Sequence, residues 1–271
     1  MSYYRHLIMS FDADALAFIS AASITDNNQK NAINTLVINL KNFGIWSKMK
    51  AMYPIVGGNA TAHKFNLKDP RDLDVAFRLS FVGGWTHSAN GMTPNGTTGY
   101  AETFCVPSTY LINNNSHLSF YSRTNSVAVA KCDFGVQDDQ GGTVKTMFLN
   151  FYNTLTSTIG YIQNTDARRV VFTPEVNSLG LLLISRTSST SLKLYRNSVL
   201  KATQTLVSGS MALISPVIGA LKYRNLSVIS YLNHSIRECA FATIGDGLSD
   251  TETANLYNEI QQFQTTLGRQ V

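Results

Sequence analysis

The residues of this sequence best suited to bond-breaking chemistry are its carboxylates, and their spacing restricts what they can do. Cleaving a glycosidic bond needs two carboxyl groups about 5–10 Å apart across that bond. On a strand such a pair stands at i and i+2, facing one side. The glutamates are Glu102, Glu175, Glu238, Glu252 and Glu259. Only Glu252 has another acid two residues away, Asp250, and that pair falls in a helix cap. The one acidic cluster is Asp69-Pro-Arg-Asp72-Leu-Asp74. Asp72 and Asp74 can share a face there, which makes Asp69, Asp72 and Asp74 weak candidates for a calcium or catalytic site. Arg71 and Arg78 lie beside them, so ion pairing is the plainer reading. The histidines His6, His63, His87, His117 and His234 show no metal-ligand spacing. Phosphate-loop, dinucleotide, zinc-protease and nucleophile-elbow motifs are absent. No catalytic residue and no cofactor is assigned.

Binding fits the residue types better. A sugar is held by an aromatic face against its C–H side, with a few planar polar groups for orientation. Trp85-Thr-His87-Ser-Ala-Asn90 supplies that mixture. His117, Tyr121 and Arg123 alternate along one strand and so share a side. The candidate glycan-binding residues are therefore Trp85, His87, Asn90, His117, Tyr121 and Arg123. The plainer alternative is that Trp85 closes a core edge and Tyr121 packs within the sheet.

The elements that must position these residues follow from composition and periodicity. The chain has 271 residues and 29.8 kDa, with 44% hydrophobic and only 14% charged residues. The usual charged share is about 25%, so neither a disordered chain nor a coiled coil is expected. Asn, Ser and Thr together exceed a quarter of the residues, which suits strands and turns. The net charge is +5 and the pI about 9.1. The only adjacent basic pair is Arg168-Arg169, and a nucleic-acid surface needs a stripe or cluster, so no nucleic-acid partner is expected. Cys105, Cys132 and Cys239 are widely spaced, without C-x-x-C. Cys239 reads as a buried thiol, and no disulfide pairing is defined. Met1–Ser10 has no long apolar core of a secretory signal and no stretch nears 18 apolar residues. Synthesis in a cytoplasm without membrane insertion is the expectation.

Residues 12–50 read as helical. Asp12–Ala21 is short and Ala-rich. Thr25 is the expected N-cap of a second helix with Asp26 in its first turn. Ile33, Leu36, Val37 and Leu40 recur on one face. Gly44 suits the position after the helix, and Ile45 and Trp46 anchor it. The period then changes to two. Val75, Phe77, Leu79 and Phe81 alternate as a half-buried strand, and a polar loop follows Gly83-Gly84. Further strands are expected at 118–121, 127–134, 146–151, 158–162, 170–172, 181–185, 192–195, 217–221, 228–231 and 238–242. Ser249-Asp-Thr-Glu252 has capping-box spacing. Leu256, Tyr257, Ile260, Phe263 and Leu267 then form one apolar stripe that Gly268 ends. The plan is a mainly β sandwich over 51–271 with a closing C-terminal helix, preceded by an N-terminal arm and helices over 1–50 for docking or oligomerisation.

Leu194-Tyr-Arg-Asn-Ser-Val-Leu200 resembles the L-Y-x-N-G-x-L strand–turn–strand of laminin-G and concanavalin A-like domains, with Ser198 in place of Gly. Ala240–Tyr257 resembles the closing segment of those domains. Almost the whole chain is similar to virion proteins of tailed bacteriophages, notably those infecting Bacteroidota, including crAss-like phages. The likeness is carried by Ile45–Gly58, Lys68–Asp74, Gly84-Trp-Thr-His87, Ser122-Arg-Thr124 and Gln264–Gln270. In that group the module sits in fibres, collars or head decorations. The resemblance implies a concanavalin A-like jelly roll with a structural or adhesion role. The implied partners are other virion proteins, host surface polysaccharide and copies of itself, with a trimer favoured. The glucanase branch uses an E-x-D-x-E strand motif that this sequence lacks. A glycan-degrading enzyme and a purely architectural subunit are the competing readings. Tyr3, Tyr4, Leu7 and Ile8, in the arm before Asp12, are expected to meet neighbouring subunits or the particle.

Overall fold

The computed structural model describes residues 11–140, 142–154, 157–164, 169–173 and 177–271, except the side chains of Asn153 and Asn164. The N-terminal arm, Glu175 and Arg168 lie outside the described residues. The chain opens with α1 (Ala13–Ala21) and α2 (Asn27–Asn42), then β1 (Met49–Tyr53) and the short α3 (Ala60–His63). Next come β2 (Ser80–Val82), β3 (Trp85–Ser88), β4 (Gly91–Pro94), β5 (Tyr100–Glu102) and α4 (Pro107–Tyr110). The middle of the chain forms β6 (Ser116–Ser122), β7 (Phe134–Gln140), β8 (Thr143–Thr154), β9 (Ser157–Asn164), β10 (Val170–Phe172) and β11 (Gly180–Ser188). Then follow β12 (Ser191–Arg196), β13 (Val199–Gln204), β14 (Val217–Ile218), β15 (Leu221–Asn225), β16 (Val228–Leu232), β17 (Cys239–Gly245) and α5 (Asp250–Thr266).

The strands form two sheets. The first runs β13-β12-β11-β6-β17-β4-β3, with β1 also on β17. The second runs β10-β9-β8-β7-β14-β5-β2, with the β15–β16 hairpin added beside β7. All pairings between strands are antiparallel except β15 on β7. The fold is thus the expected mainly β sandwich.

Alternation assigns each strand's residues to a face. Leu118, Phe120, Leu182, Ile184, Ala242 and Ile244 point between the sheets and meet Phe134, Val136, Leu149 and Phe151 of the second sheet. The intervening Tyr121, Leu181, Leu183 and Phe241 point the other way. There they meet Phe18 of α1, Ile33, Leu36, Val37 and Leu40 of α2, and Leu256, Ile260 and Phe263 of α5. The first sheet is therefore buried on both faces, and the molecule has three layers: helices, first sheet, second sheet. The described part of the N-terminal segment packs into the same core as the sandwich.

Local chemistry explains most boundaries. The N-cap of α2 is Asp26, whose carboxylate accepts from Gln29 N at 2.8 Å; Thr25 stands one residue outside. Gly44 takes φ +72° after the helix, and Ile45 is fully buried behind it. The capping box of α5 forms as read, Ser249 with Glu252. Asn197 and Ser198 carry φ of +47° and +64° between β12 and β13. Two left-handed residues make the turn that matches strand twist, so Ser198 occupies a position where Gly fits best.

Three strand expectations fail. Val75–Phe81 is a 3-10 turn at Asp74–Ala76, then Phe77 at φ +60°, with only Ser80–Val82 as strand. Val75 is 64% exposed, so its alternation has no core to serve. Over 127–134 only Phe134 is in a strand. The guanidinium of buried Arg237 takes the Ser126 and Ala128 carbonyls at 3.0 and 2.8 Å, which removes them from any ladder. Over 217–221, Gly219 at φ +88° splits the run into two strands. Conversely, the loop expected after Gly84 contains the β3–β4 hairpin, with Ala89 and Asn90 as its turn.

Candidate functional site

The six candidate glycan residues fall into three settings. Trp85 and His87 sit on β3, an edge strand of the first sheet, half-buried on the side of the inter-sheet core. Their rings lie 6.1 Å apart and nearly parallel, with Phe81 edge-on to both. The indole Nε1–H donates to the Val82 and Tyr100 carbonyls. His87 Nδ1 meets Nδ1 of buried His63 at 2.9 Å. One of the two imidazoles must donate and the other accept, so the accepting ring is neutral in this contact. Burial pushes His63 down to about 3, aided by His87 and Arg269 nearby, and burial also lowers His87. This cluster closes the core edge more than it offers an aromatic platform.

His117 and Tyr121 do share a face, as alternation requires, but helices cover that face and both are fully buried. They are core residues and not the open glycan contacts that their alternation suggests. His117 Nδ1 lies 2.6 Å from the Asp246 carbonyl, which can only accept. Nδ1 therefore carries the proton, and Nε2 accepts from Thr243 Oγ1 at 2.9 Å. Thr243 in turn accepts from Ser119 Oγ at 2.6 Å. Tyr121 donates to Gln261 Oε1 at 2.7 Å under α5.

Arg123, one residue past β6, is the member of that strand face which reaches the surface. Its Nη1 donates to Glu238 Oε2 at 2.8 Å, and the two side chains are 17% and 19% exposed. Ser88 Oγ approaches the other Glu238 oxygen at 3.4 Å. The exposed hairpin tip Asn90 belongs to the same end of the sheet. The structure thus joins Asn90 and Arg123 into one partly exposed polar shelf, with Trp85 and His87 turned to the opposite face of their sheet.

Arg269 holds this shelf in place and escaped the sequence reading. It is 1% exposed, with no ion-pair partner among the described residues. Its guanidinium donates to the carbonyls of Pro54, Ile55, Ala89 and Ala240 and to Gln264 Oε1. Its own carbonyl accepts from Arg123 Nε at 2.7 Å. Burial, then the nearby Arg123, lowers it to about 9. Nothing in a lone Arg near the C-terminus distinguishes it from a surface cation.

The acidic cluster is neutralised piecewise. Asp69 pairs with Arg71, Asp72 with Lys64 and Arg78, and Asp74 with Arg78, at 2.5–2.8 Å. The hydrogen bonds to these cations hold Asp69 and Asp72 below the usual carboxylate range. Among the described residues no three His, Cys, Asp or Glu side chains converge as a metal site would require. Cys105, Cys132 and Cys239 are buried free thiols.

No family model and no curated protein matches this sequence. Among solved structures, the chain is similar to the receptor binding domain of botulinum neurotoxin C/D mosaic serotype, at 13% identity and TM-score 0.50 over 79% of this chain and 52% of that one. The binding domain of botulinum neurotoxin DC in complex with rat synaptotagmin II gives 12% and 0.50 over 80% and 53%. Domain 4 of AbnA, a GH43 extracellular arabinanase from Geobacillus stearothermophilus, in complex with arabinotriose, gives 12% and 0.42 over 77% and 98%. The chain spans about half the length of the toxin domains. At these identities the likeness concerns the fold, a β-sandwich, alone.

Proposed function

We propose that this chain is a virion structural protein of a tailed bacteriophage whose sandwich contacts host surface glycan. The observation that carries the glycan contact is the partly exposed Arg123–Glu238 pair, fixed beside Ser88 and Asn90 by buried Arg269. A sugar is oriented by a few planar polar groups held rigid by their surroundings, and this shelf supplies a guanidinium, a carboxylate and an amide. Binding is favoured over hydrolysis by the use already made of the acids. Glu102 pairs with Lys222, Glu238 with Arg123 and Glu252 with Lys48, while Glu259 accepts from Asn39. The virion placement rests on the whole-chain resemblance. It also suits a shallow site, since many linked copies raise avidity without new contacts.

Light scattering on the purified chain should give a closed oligomer, a trimer first. Labelled protein should bind Bacteroidota cells, and the double variant Asn90→Ala, Arg123→Ala should lose at least tenfold of that binding at unchanged mass. Wild-type binding by the variant would overturn the proposed surface. Release of reducing ends from capsular polysaccharide would replace the reading with a hydrolase.

A further inference from the structure

We propose that a second cleft, at the Ser116 end of β6, binds an acidic monosaccharide unit. It takes its ligand class from the glycan reading above but uses none of the same residues. Arg123 lies at the other end of the strand, about 23 Å from Ser116 at roughly 3.3 Å per residue.

The cleft has a volume of about 410 Å³, with Lys145, Ser210, Met211 and Leu213 on its walls. Met211 also lines a recess of about 10 Å³ together with Ser116 and Gln163. Those two side chains are 1% and 2% exposed, and Ser116 Oγ and Gln163 Nε2 have no hydrogen-bond partner among the described residues. Leaving a buried polar atom unmet costs about 1–3 kcal/mol, so the recess calls for an oxygen. The Gln163 amide is not free to turn away, because its Oε1 accepts from Asn114 N at 3.0 Å. Its NH₂ therefore faces the recess as a donor, with the Ser116 hydroxyl beside it able to donate or accept. One hydroxyl of a ligand meets both.

The outer cleft matches the rest of a sugar. Met211 and Leu213, the latter 47% exposed, offer apolar surface to a ring's C–H face. Lys145 makes no ion pair among the described residues and supplies a cation for a carboxylate. The net charge of +5 favours approach of an acidic polymer. The wall is preformed. Ala212 O accepts from Ser108 N at 3.1 Å, and Leu213 N donates to Asp138 at 2.7 Å. Asp138 is itself clamped by Arg224 at 2.8 and 2.7 Å.

The test is saturation-transfer NMR on the full chain with methyl β-D-glucuronide and methyl β-D-glucoside. The glucuronide should bind at least threefold more tightly. Measured in the Asn90→Ala, Arg123→Ala background, which removes the first surface from the signal, Lys145→Ala should bring it to the glucoside level and Ser116→Ala should weaken both. Binding of neither sugar would mean a recess that holds only water and would overturn the proposal. So would equal affinity for the two sugars, or glucuronide binding that Lys145→Ala leaves unchanged. Failure here with intact Arg123-dependent cell binding would leave the first surface standing.

Discussion

Acidification from pH 7.5 to 5 should destabilise this protein by about 4 kcal/mol through two buried histidines. His117 and His63 are 0% and 1% exposed, and burial lowers them from 6.5 to about 4 and about 3. In both cases the unfolded chain binds a proton more readily than the folded one. Stability is therefore fully present above about pH 6.5 and falls as the pH drops towards the folded values. At pH 5, about 1.5 pH units below the unfolded value, each imidazole costs about 2 kcal/mol at 1.36 kcal/mol per unit. The geometry gives the same direction. Protonating His117 at Nε2 would turn the Thr243 hydroxyl away and break the chain that runs from Ser119 through Thr243 to the ring. Depressed carboxylates such as Asp12, Asp138 and Glu252 lose their contribution only as the pH nears and passes 4, so the interval from 7.5 to 5 isolates the histidines. Urea unfolding at the two pH values measures the difference directly. His117→Asn, which cannot titrate, should remove about 2 kcal/mol of the pH-dependent loss even though it lowers stability at both values. An unchanged midpoint between pH 7.5 and 5, or an equal loss in the variant, would refute the reasoning.

Two further outcomes test the packing. Ser198→Gly should raise stability by about 1 kcal/mol in the same urea assay, because a left-handed residue with a Cβ costs roughly 1–2 kcal/mol and Ser198 sits at φ +64°. Arg237→Leu should cost about 3–5 kcal/mol, the range for breaking a buried pair by removing one partner. It strands Asp133, which is 0% exposed, and the Ser126 and Ala128 carbonyls. A thermal midpoint within a degree of wild type would sink that reading.

What was legible in the sequence is what local rules decide. The apolar stripes of α2 and α5 and the Ser249–Glu252 box announce themselves within a few turns. So does the turn at Asn197–Ser198. The site residues depend on layers that meet only in three dimensions. His117 and Tyr121 look like part of a solvent-facing row because each is polar. Instead His117 bonds the Thr243 hydroxyl and the Asp246 carbonyl, and Tyr121 bonds Gln261 of α5, beneath the helices. The unbroken Leu181-Leu-Leu-Ile184 run was the available sign that this sheet is covered twice, since strands buried on both faces lose their alternation. Val75–Phe81 misled in the opposite sense: its alternation is real, but Asp72, Asp74 and Arg78 tie it into an exposed loop.

The covered face also decides where a ligand can act. Phe18, Ile33, Leu36, Val37, Leu40, Leu256, Ile260 and Phe263 are each at most 2% exposed against the first sheet. Burying one such side chain contributes about 1.5–3 kcal/mol. Lifting the helices would therefore cost on the order of 10 kcal/mol, comparable with the whole stability of a domain. No shallow sugar contact supplies that, so the helical layer is not a lid that a glycan could open. On the first sheet the proposed ligands are left the ends of the strands, where β6 leaves the helices' cover. One end there presents the Arg123 shelf, and the other the Gln163 recess.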